Sequence, residues 1–317
     1  MPRYRCRAPS GNWRGTVFLR RGTILNRRER ASISLILFVL PAFVLYLLFL
    51  AIPMIQGSYF SFTDWNGLNK TYNFVGFSNF IEAIRDDTYF RSAILFTAKY
   101  VVVAVVLQNA IALLLALLIE SRKRAKGFFR TIFFMPNMLS VIISTFMWVF
   151  VFSKVIPALS KYRALKFLNL SWLGDPTVSF WTIVIISVWG GVGTLMLIYM
   201  AAIQGIPAHL KEAAIIDGAQ PLHMLRYITL PMIVHALTIC IFLTLNSSFK
   251  IYDLVYAATG GGPGRGTQVI TMNILEEAYQ GNMRFGYASS KAIILFLIIF
   301  VITMIQISIM KRHEVEA

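Results

Sequence analysis

Acidic side chains, cysteines and charges of either sign are all scarce in this chain. Its 317 residues include 14 Asp and Glu against 30 Lys and Arg, so 14% are charged while 57% are hydrophobic. That is too apolar for an ordinary soluble domain of this length and points to a membrane protein. Cys6 sits in a basic tail and Cys240 in an apolar run, so no disulfide framework or cysteine metal site is expected. The glycine-rich stretch Gly260 to Gly266 is followed by no Gly-Lys-Ser/Thr and preceded by no strand signal, which removes a phosphate loop and leaves it as an exposed turn. His209, His223, His235 and His313 are scattered with no nucleophile in sequence reach, and Glu276 and Glu277 have no His or Cys at ligand spacing. No catalytic residue, metal or cofactor is therefore predicted. The net charge of +16 lies at the ends of apolar runs, which reads as membrane topology and not as a nucleic-acid footprint.

What is present is a series of long apolar stretches. A bilayer core about 30 Å thick needs roughly 20 mostly apolar residues in a helix, because backbone amides find no water there. Six stretches qualify: Ile33 to Gln56, Ile94 to Ile119, Thr131 to Phe152, Ser179 to Ile203, Ile233 to Phe249 and Ser289 to Met310. Residues 1–30 carry nine arginines and no cleavage-site pattern follows, so they are expected to be a retained cytoplasmic tail ahead of one membrane domain, 31–317. Arg122, Lys123, Arg124, Lys126 and Arg130 crowd the second connection, whereas the first mixes Lys70, Arg85 and Arg91 with four acids. Both termini are therefore expected in the cytoplasm, although Lys154, Lys161, Arg163 and Lys166 run against the alternation.

Residues 205–231, between the fourth and fifth spans, are too polar to cross a membrane and too patterned for a slack loop. Pro207 suits a first helical turn, His209 to Ile216 are good helix formers, Gly218 can take the positive φ that ends a helix, and Pro221 can open the next. Leu222, Leu225 and Ile228 add helical apolar spacing, and Pro231 closes the segment. The expectation is two short helices about a tight turn, which either docks a partner protein or rests on lipid headgroups.

The residues of that loop resemble a known family. Glu212, Ala213, Ala214, Asp217, Gly218 and Ala219, followed by Ile228, Leu230 and Pro231, are similar to the EAA loop of binding-protein-dependent ABC importer permeases. Ser61 to Trp65, Phe74 to Phe77, Asn79-Phe80, Trp172 to Pro176 and Gly260 to Gly264 resemble the carbohydrate-type group of maltodextrin and glycerol-phosphate permeases. The resemblance implies an all-helical, six-span, type I importer permease carrying sugars or oligosaccharides. It also implies the partners: a second related permease, two ATP-binding cassette subunits that bind and hydrolyse the ATP, and an extracytoplasmic sugar-binding protein. Glu212, Ala213, Ala214, Asp217 and Gly218 would sit in a cleft of the ATPase. Leu222 and Leu225 depart from the pattern, where aromatic residues are usual.

Polar residues inside apolar spans mark either a pathway or helix packing. Asn137 in the third span, Ser187, Trp189, Gly190, Gly191 and Gly193 in the fourth, and Thr244, Asn246, Ser247 and Ser248 in the fifth stand out. Amide, hydroxyl and indole groups suit sugars. The resemblance assigns Asn137, Ser187, Gly191, Thr244 and Ser248 to sugar contact, and Trp189 joins them on chemistry. Lys250 and Asp253 are expected at the outer end of the fifth span, pairing or facing the binding protein. A permease for a polyamine or phosphorylated polyol is the nearest alternative. A secondary transporter is less favoured, since neither inverted repeats nor charged mid-membrane sites are evident.

Overall fold

The computed structural model describes residues 27–122, 124–280 and 283–311. The expectations for residues 1–26, Lys123 and His313 lie outside the described residues. The chain divides into two compact units, 1–54 and 55–317. In order the helices are α1 (Arg27–Tyr46), α2 (Ile52–Phe60), α3 (Ser78–Arg85), α4 (Thr88–Glu120), α5 (Lys126–Phe134), α6 (Val141–Phe150), α7 (Ile156–Leu159), α8 (Pro176–Gln204), α9 (Ala208–Ile216), α10 (Pro221–Met224), α11 (Leu230–Met232), α12 (Val234–Phe249), α13 (Tyr252–Thr259), α14 (Ile270–Tyr279) and α15 (Phe285–Lys311). Among the described residues five helical runs are long and apolar enough to cross a membrane, and the bent run through α10, α11 and α12, counted as one span, makes a sixth.

Three of these runs contain one wide π-type turn, at Leu47–Ala51, Val151–Val155 and Leu225–Thr229. Each is followed two residues later by a proline: Pro53, Pro157 or Pro231. A proline offers no N–H and its ring presses on the carbonyl four residues back, which in each case lies inside the widened turn. The expectation that Pro231 closes the elbow is thus corrected. Pro231 sits at the start of α11, and the chain bends by 70° after Met232, at Ile233.

The third span also differs from its expected bounds. Pro136 cannot donate to the turn before it, so α5 ends at Phe134, a single 3-10 turn covers Met135–Met138, and extended backbone at Leu139 and Ser140 precedes α6. Asn137 therefore stands in a break ahead of the span, not within it. The connections toward α4 and α15 hold more helix than sequence patterning suggests, in the short α3, α13 and α14.

Helices α4 and α8 form the centre of the larger unit. Asp87 caps α4 by accepting from the Phe90 amide at 2.8 Å, and Asp175 caps α8 by accepting from the Thr177 and Val178 amides, with Pro176 at the first helical position. Ala104, Ala112 and Ala116 are fully buried along α4, so the helix backbones approach closely. Two buried apolar clusters result, one around Tyr100, Phe180, Ile183 and Val255 and one around Met196, Tyr199, Ile233 and Cys240.

At Gly193 on α8 a Cβ would overlap the Phe133 carbonyl of α5. Substituting valine there should force the α5 hairpin off α8. Overpacking of about 1–3 kcal/mol is expected as a lowered melting temperature in detergent, and an unchanged melt would contradict this packing role.

The start of α4 is tied to α3, α14 and α15 by charge. Lys291, fully buried on α15, reaches Asp87 at 2.7 Å, Glu277 at 3.1 Å and the Asn273 side-chain oxygen at 2.9 Å. Seven residues earlier, just ahead of α15, Arg284 grips Glu82 through two bonds of 2.6 and 2.7 Å. The preceding connection is pinned as well, because Asn79 Nδ2 donates to the Ser61 and Thr63 carbonyls, each at 2.9 Å.

Candidate functional site: a polar cavity and an exposed elbow on shared helices

A cavity of about 280 Å³ opens among α4, the α5–α6 break, α8 and the α12–α13 junction. Its polar lining is Tyr100 and Gln108 from α4, Asn137 and Ser144, Ser187 from α8, and Ser247, Ser248, Lys250 and Asp253. Gln108 Nε2 donates to Ser187 Oγ at 2.8 Å, and the Tyr100 hydroxyl shares a hydrogen bond with the same oxygen. Gly191 makes room for this arrangement, since a Cβ there would stand 2.7 Å from Gln108 Oε1. Asn137 Nδ2 donates to Thr194 Oγ1 across to α8. The result is a wall of amide and hydroxyl groups facing the cavity.

Of the residues singled out in the sequence, Asn137, Ser187, Gly191 and Ser248 come together at this cavity. Trp189 does not. Two residues on from Ser187 it points to another side of α8, lining a separate apolar hollow with Val188, Val192 and Ile132 and meeting the Trp148 ring edge to face at 5.6 Å. Thr244 does not either: it is buried deeper, bonded to the Cys240 carbonyl at 2.7 Å and receiving the Asn109 amide at 3.2 Å. Lys250 and Asp253 line the cavity without forming an ion pair to each other among the described residues. Sequence reading missed Tyr100, Gln108 and Ser144. The polar side chains of Gln108 and Asn109 inside an otherwise apolar α4 were the available signal.

The elbow at 205–231 forms as two short helices about a turn, α9 and α10. Gly218 adopts φ +75°. The Ala219 amide then reaches the Ala214 carbonyl at 2.9 Å and the Gly218 amide reaches Ile215 at 3.1 Å, the paired bonds that finish a helix at a left-handed residue. Glu212, Ala213, Asp217 and Gly218 are exposed, whereas Ala214 is buried against the body of the protein. Glu212 and Asp217 carry no ion pair among the described residues. The exposed apolar ridge is made by Ile215, Ile216, Leu222 and Tyr227, with Ile216 at 85%. Ile228 instead packs inward, which corrects the ridge expected through Leu225 and Ile228.

Both ends of the elbow are fastened to cavity-bearing helices. Lys211 Nζ donates to the Ile203 carbonyl at 3.3 Å, fixing α9 to the end of α8, and Gln204 Nε2 donates to Glu120 at 2.6 Å, fixing that end of α8 to the end of α4. From Gln204 back to Ser187 is roughly 25 Å of unbroken helix at about 1.5 Å per residue. On the other side α12 runs from the bend at Ile233 to Ser247 and Ser248.

Residues 108–313 match the family described as binding-protein-dependent transport system inner membrane component. The chain is 39% identical over 280 residues to the probable starch degradation products transport system permease protein AmyD of Thermoanaerobacterium thermosulfurigenes, covering 88% of this chain and 94% of that one. It is 30% identical to the multiple sugar-binding transport system permease protein MsmF of Streptococcus mutans, covering 88% and 95%. Its fold matches a chain of a bacterial ABC transporter involved in import of the acidic polysaccharide alginate, with a TM-score of 0.78, 23% identity and coverage of 89% and 96%. The family match covers more than half of the chain and the identity runs nearly its full length; the protein is a member of the binding-protein-dependent transport system inner membrane components, with the type I ABC permease fold.

Proposed function

We propose that this chain is one permease subunit of an ATP-driven importer for sugars or oligosaccharides, and that its solute passes along the cavity lined by Gln108, Asn137, Ser187 and Ser248. The observation that carries the reading is the mechanical one: the two helices on either side of the elbow, α8 and α12, bear Ser187, Ser247 and Ser248, three of the cavity's five hydroxyl groups. A push on the exposed elbow displaces Ser187 and Ser248 together. Because the chain presents no nucleotide-binding motif of its own, the push comes from cytoplasmic ATPase subunits that grip Glu212, Ala213, Asp217 and the Ile215–Ile216 edge. A second related permease supplies the opposite wall of the path, and a binding protein delivers solute at the end where α4 begins and Lys250 and Asp253 flank the cavity. The elbow and both termini face the cytoplasm in this arrangement, in keeping with the basic residues 122–130.

Sugar is favoured by the lining, in which paired amides and hydroxyls can exchange hydrogen bonds with a polyol, and by the starch-product and multiple-sugar permeases that this chain resembles. Uptake of a panel of labelled sugars by cells with and without the gene tests the class. Restored uptake of a glucose or other sugar oligomer is the expected result, and restoration of polyamine or phosphorylated polyol uptake alone would replace this reading. Changing Ser248 to leucine should alter the order of preferred solutes more than the amount of assembled protein. Unchanged kinetics for every sugar would remove Ser248 from the path.

A further inference from the structure

The hairpin between α4 and α5 carries a groove distinct from the polar cavity. The α4 helix ends at Glu120, Ala125 turns the chain through φ +64°, and α5 folds back. A groove of about 180 Å³ lies in the angle, walled by Leu115, Leu118 and Ile119 of α4 and by Phe129 and Phe133 of α5, with Arg122 on its edge. Of the neighbouring cations, Lys126 is neutralised by Glu120 at 2.8 Å. Arg122, Arg124 and Arg130 are exposed and have no ion pair among the described residues.

An apolar slot edged by the unneutralised guanidinium of Arg122, with exposed Arg124 and Arg130 in the same hairpin region, at the end of a membrane-crossing helix, has the polarity of one class of molecule. An acyl chain suits the apolar walls, and a phosphate headgroup suits the Arg122 guanidinium, whose fork matches phosphate oxygens. A zwitterionic lipid brings its own compensating cation to the same place, and a free anion leaves the apolar walls wet. We propose that this groove is a binding site for an anionic phospholipid of the surrounding bilayer. The Glu120 side chain, held by both Lys126 and Gln204, fixes the slot to the base of α8, so the bound lipid braces the same helix end from which the elbow departs.

The test uses the full chain purified in mild detergent and stripped of lipid. Phosphatidylglycerol, phosphatidylcholine with the same acyl chains, and inorganic phosphate are titrated separately, and both the melting temperature and the lipid retained in native mass spectra are read. Phosphatidylglycerol alone should raise the melt and remain bound. Arg122→Gln should weaken its apparent affinity roughly fivefold, the loss of about one cationic contact, with Arg122→Lys intermediate. Leu118→Trp, which blocks the slot but keeps the charges, should abolish retention; Leu115→Gln serves if that variant does not fold. Equal effects of the two lipids, full reproduction by inorganic phosphate, or undiminished phosphatidylglycerol binding in both Arg122→Gln and the slot variant would each overturn the site. So would crosslinks from position 118 of the assembled transporter that reach only protein.

Discussion

Replacing Gly218 by valine is expected to abolish coupled transport while the chain still inserts into the membrane. The residue sits at φ +75° with nothing within 4 Å of where a Cβ would lie, so the cost is wholly one of backbone. An L-residue forced into the left-handed region loses about 1–2 kcal/mol, and a β-branched one more. The cheapest relief is to leave that conformation, which breaks the Ala219 to Ala214 and Gly218 to Ile215 hydrogen bonds and swings α10 away from α9. Gly218 belongs to neither buried cluster, so the spans remain. Solute uptake and solute-stimulated ATP hydrolysis in the assembled transporter should both be lost, and asparagine at 218, which tolerates this conformation, should restore part of each. Normal uptake in the valine variant would show that the geometry of the elbow is not needed.

Substituting Lys291 by methionine should be the most damaging single change to stability. Its ammonium is fully buried between Asp87, Glu277 and Asn273 and lies over the Phe90 and Tyr287 rings. Removing one member of a buried ion network leaves its partners uncompensated, a loss of about 3–5 kcal/mol. Asp87→Asn combined with Lys291→Met should then cost less than the sum of the two, because the stranded charge is removed. Strict additivity in thermal melts would contradict the network.

The same cluster sets an acid limit. The Arg284 hydrogen bonds hold Glu82 below its ordinary 4.5 against a smaller effect of burial. For Asp87, burial pulls upward, but the bonds from Lys291, the Phe90 amide and Tyr287 together keep it below its ordinary 3.8. Carboxylates whose folded pKa is depressed stabilise the protein at pH values above their unfolded pKa, and that contribution is lost as pH falls through the folded value. The melting temperature should therefore be insensitive to these groups from neutrality to about pH 5 and fall below about pH 4, with a smaller acid dependence in Asp87→Asn.

The membrane class, the number of spans and the elbow were legible in the sequence because each is written in local pattern. Hydropathy over about 20 residues reports a span, and the Gly218 and Pro221 positions report a turn between two helices. Bounds failed where proline acts at a distance of four residues. Pro136 and Pro231 look like punctuation in the sequence, yet one opens a 3-10 turn and a break while the other sits inside a helix behind a widened turn. The cavity was half legible. Ser187 and Ser248 could be named from polarity, whereas Trp189 and Thr244 share that polarity and face elsewhere, because rotation about a helix axis is set by tertiary packing. Lys291 went unnoticed since one lysine near the start of the apolar run Phe285–Lys311 reads as an interfacial residue; only the fold shows two carboxylates closing on it.

In the proposed mechanism the elbow is driven from outside the chain. A photo-crosslinking amino acid at Ile216, the most exposed apolar residue of the elbow, tests this directly in membranes holding the native transporter. The predicted result is a crosslink to an ATP-hydrolysing subunit whose yield changes when ATP is trapped before hydrolysis. Crosslinks confined to lipid, or sugar uptake by vesicles containing this chain alone, would contradict it.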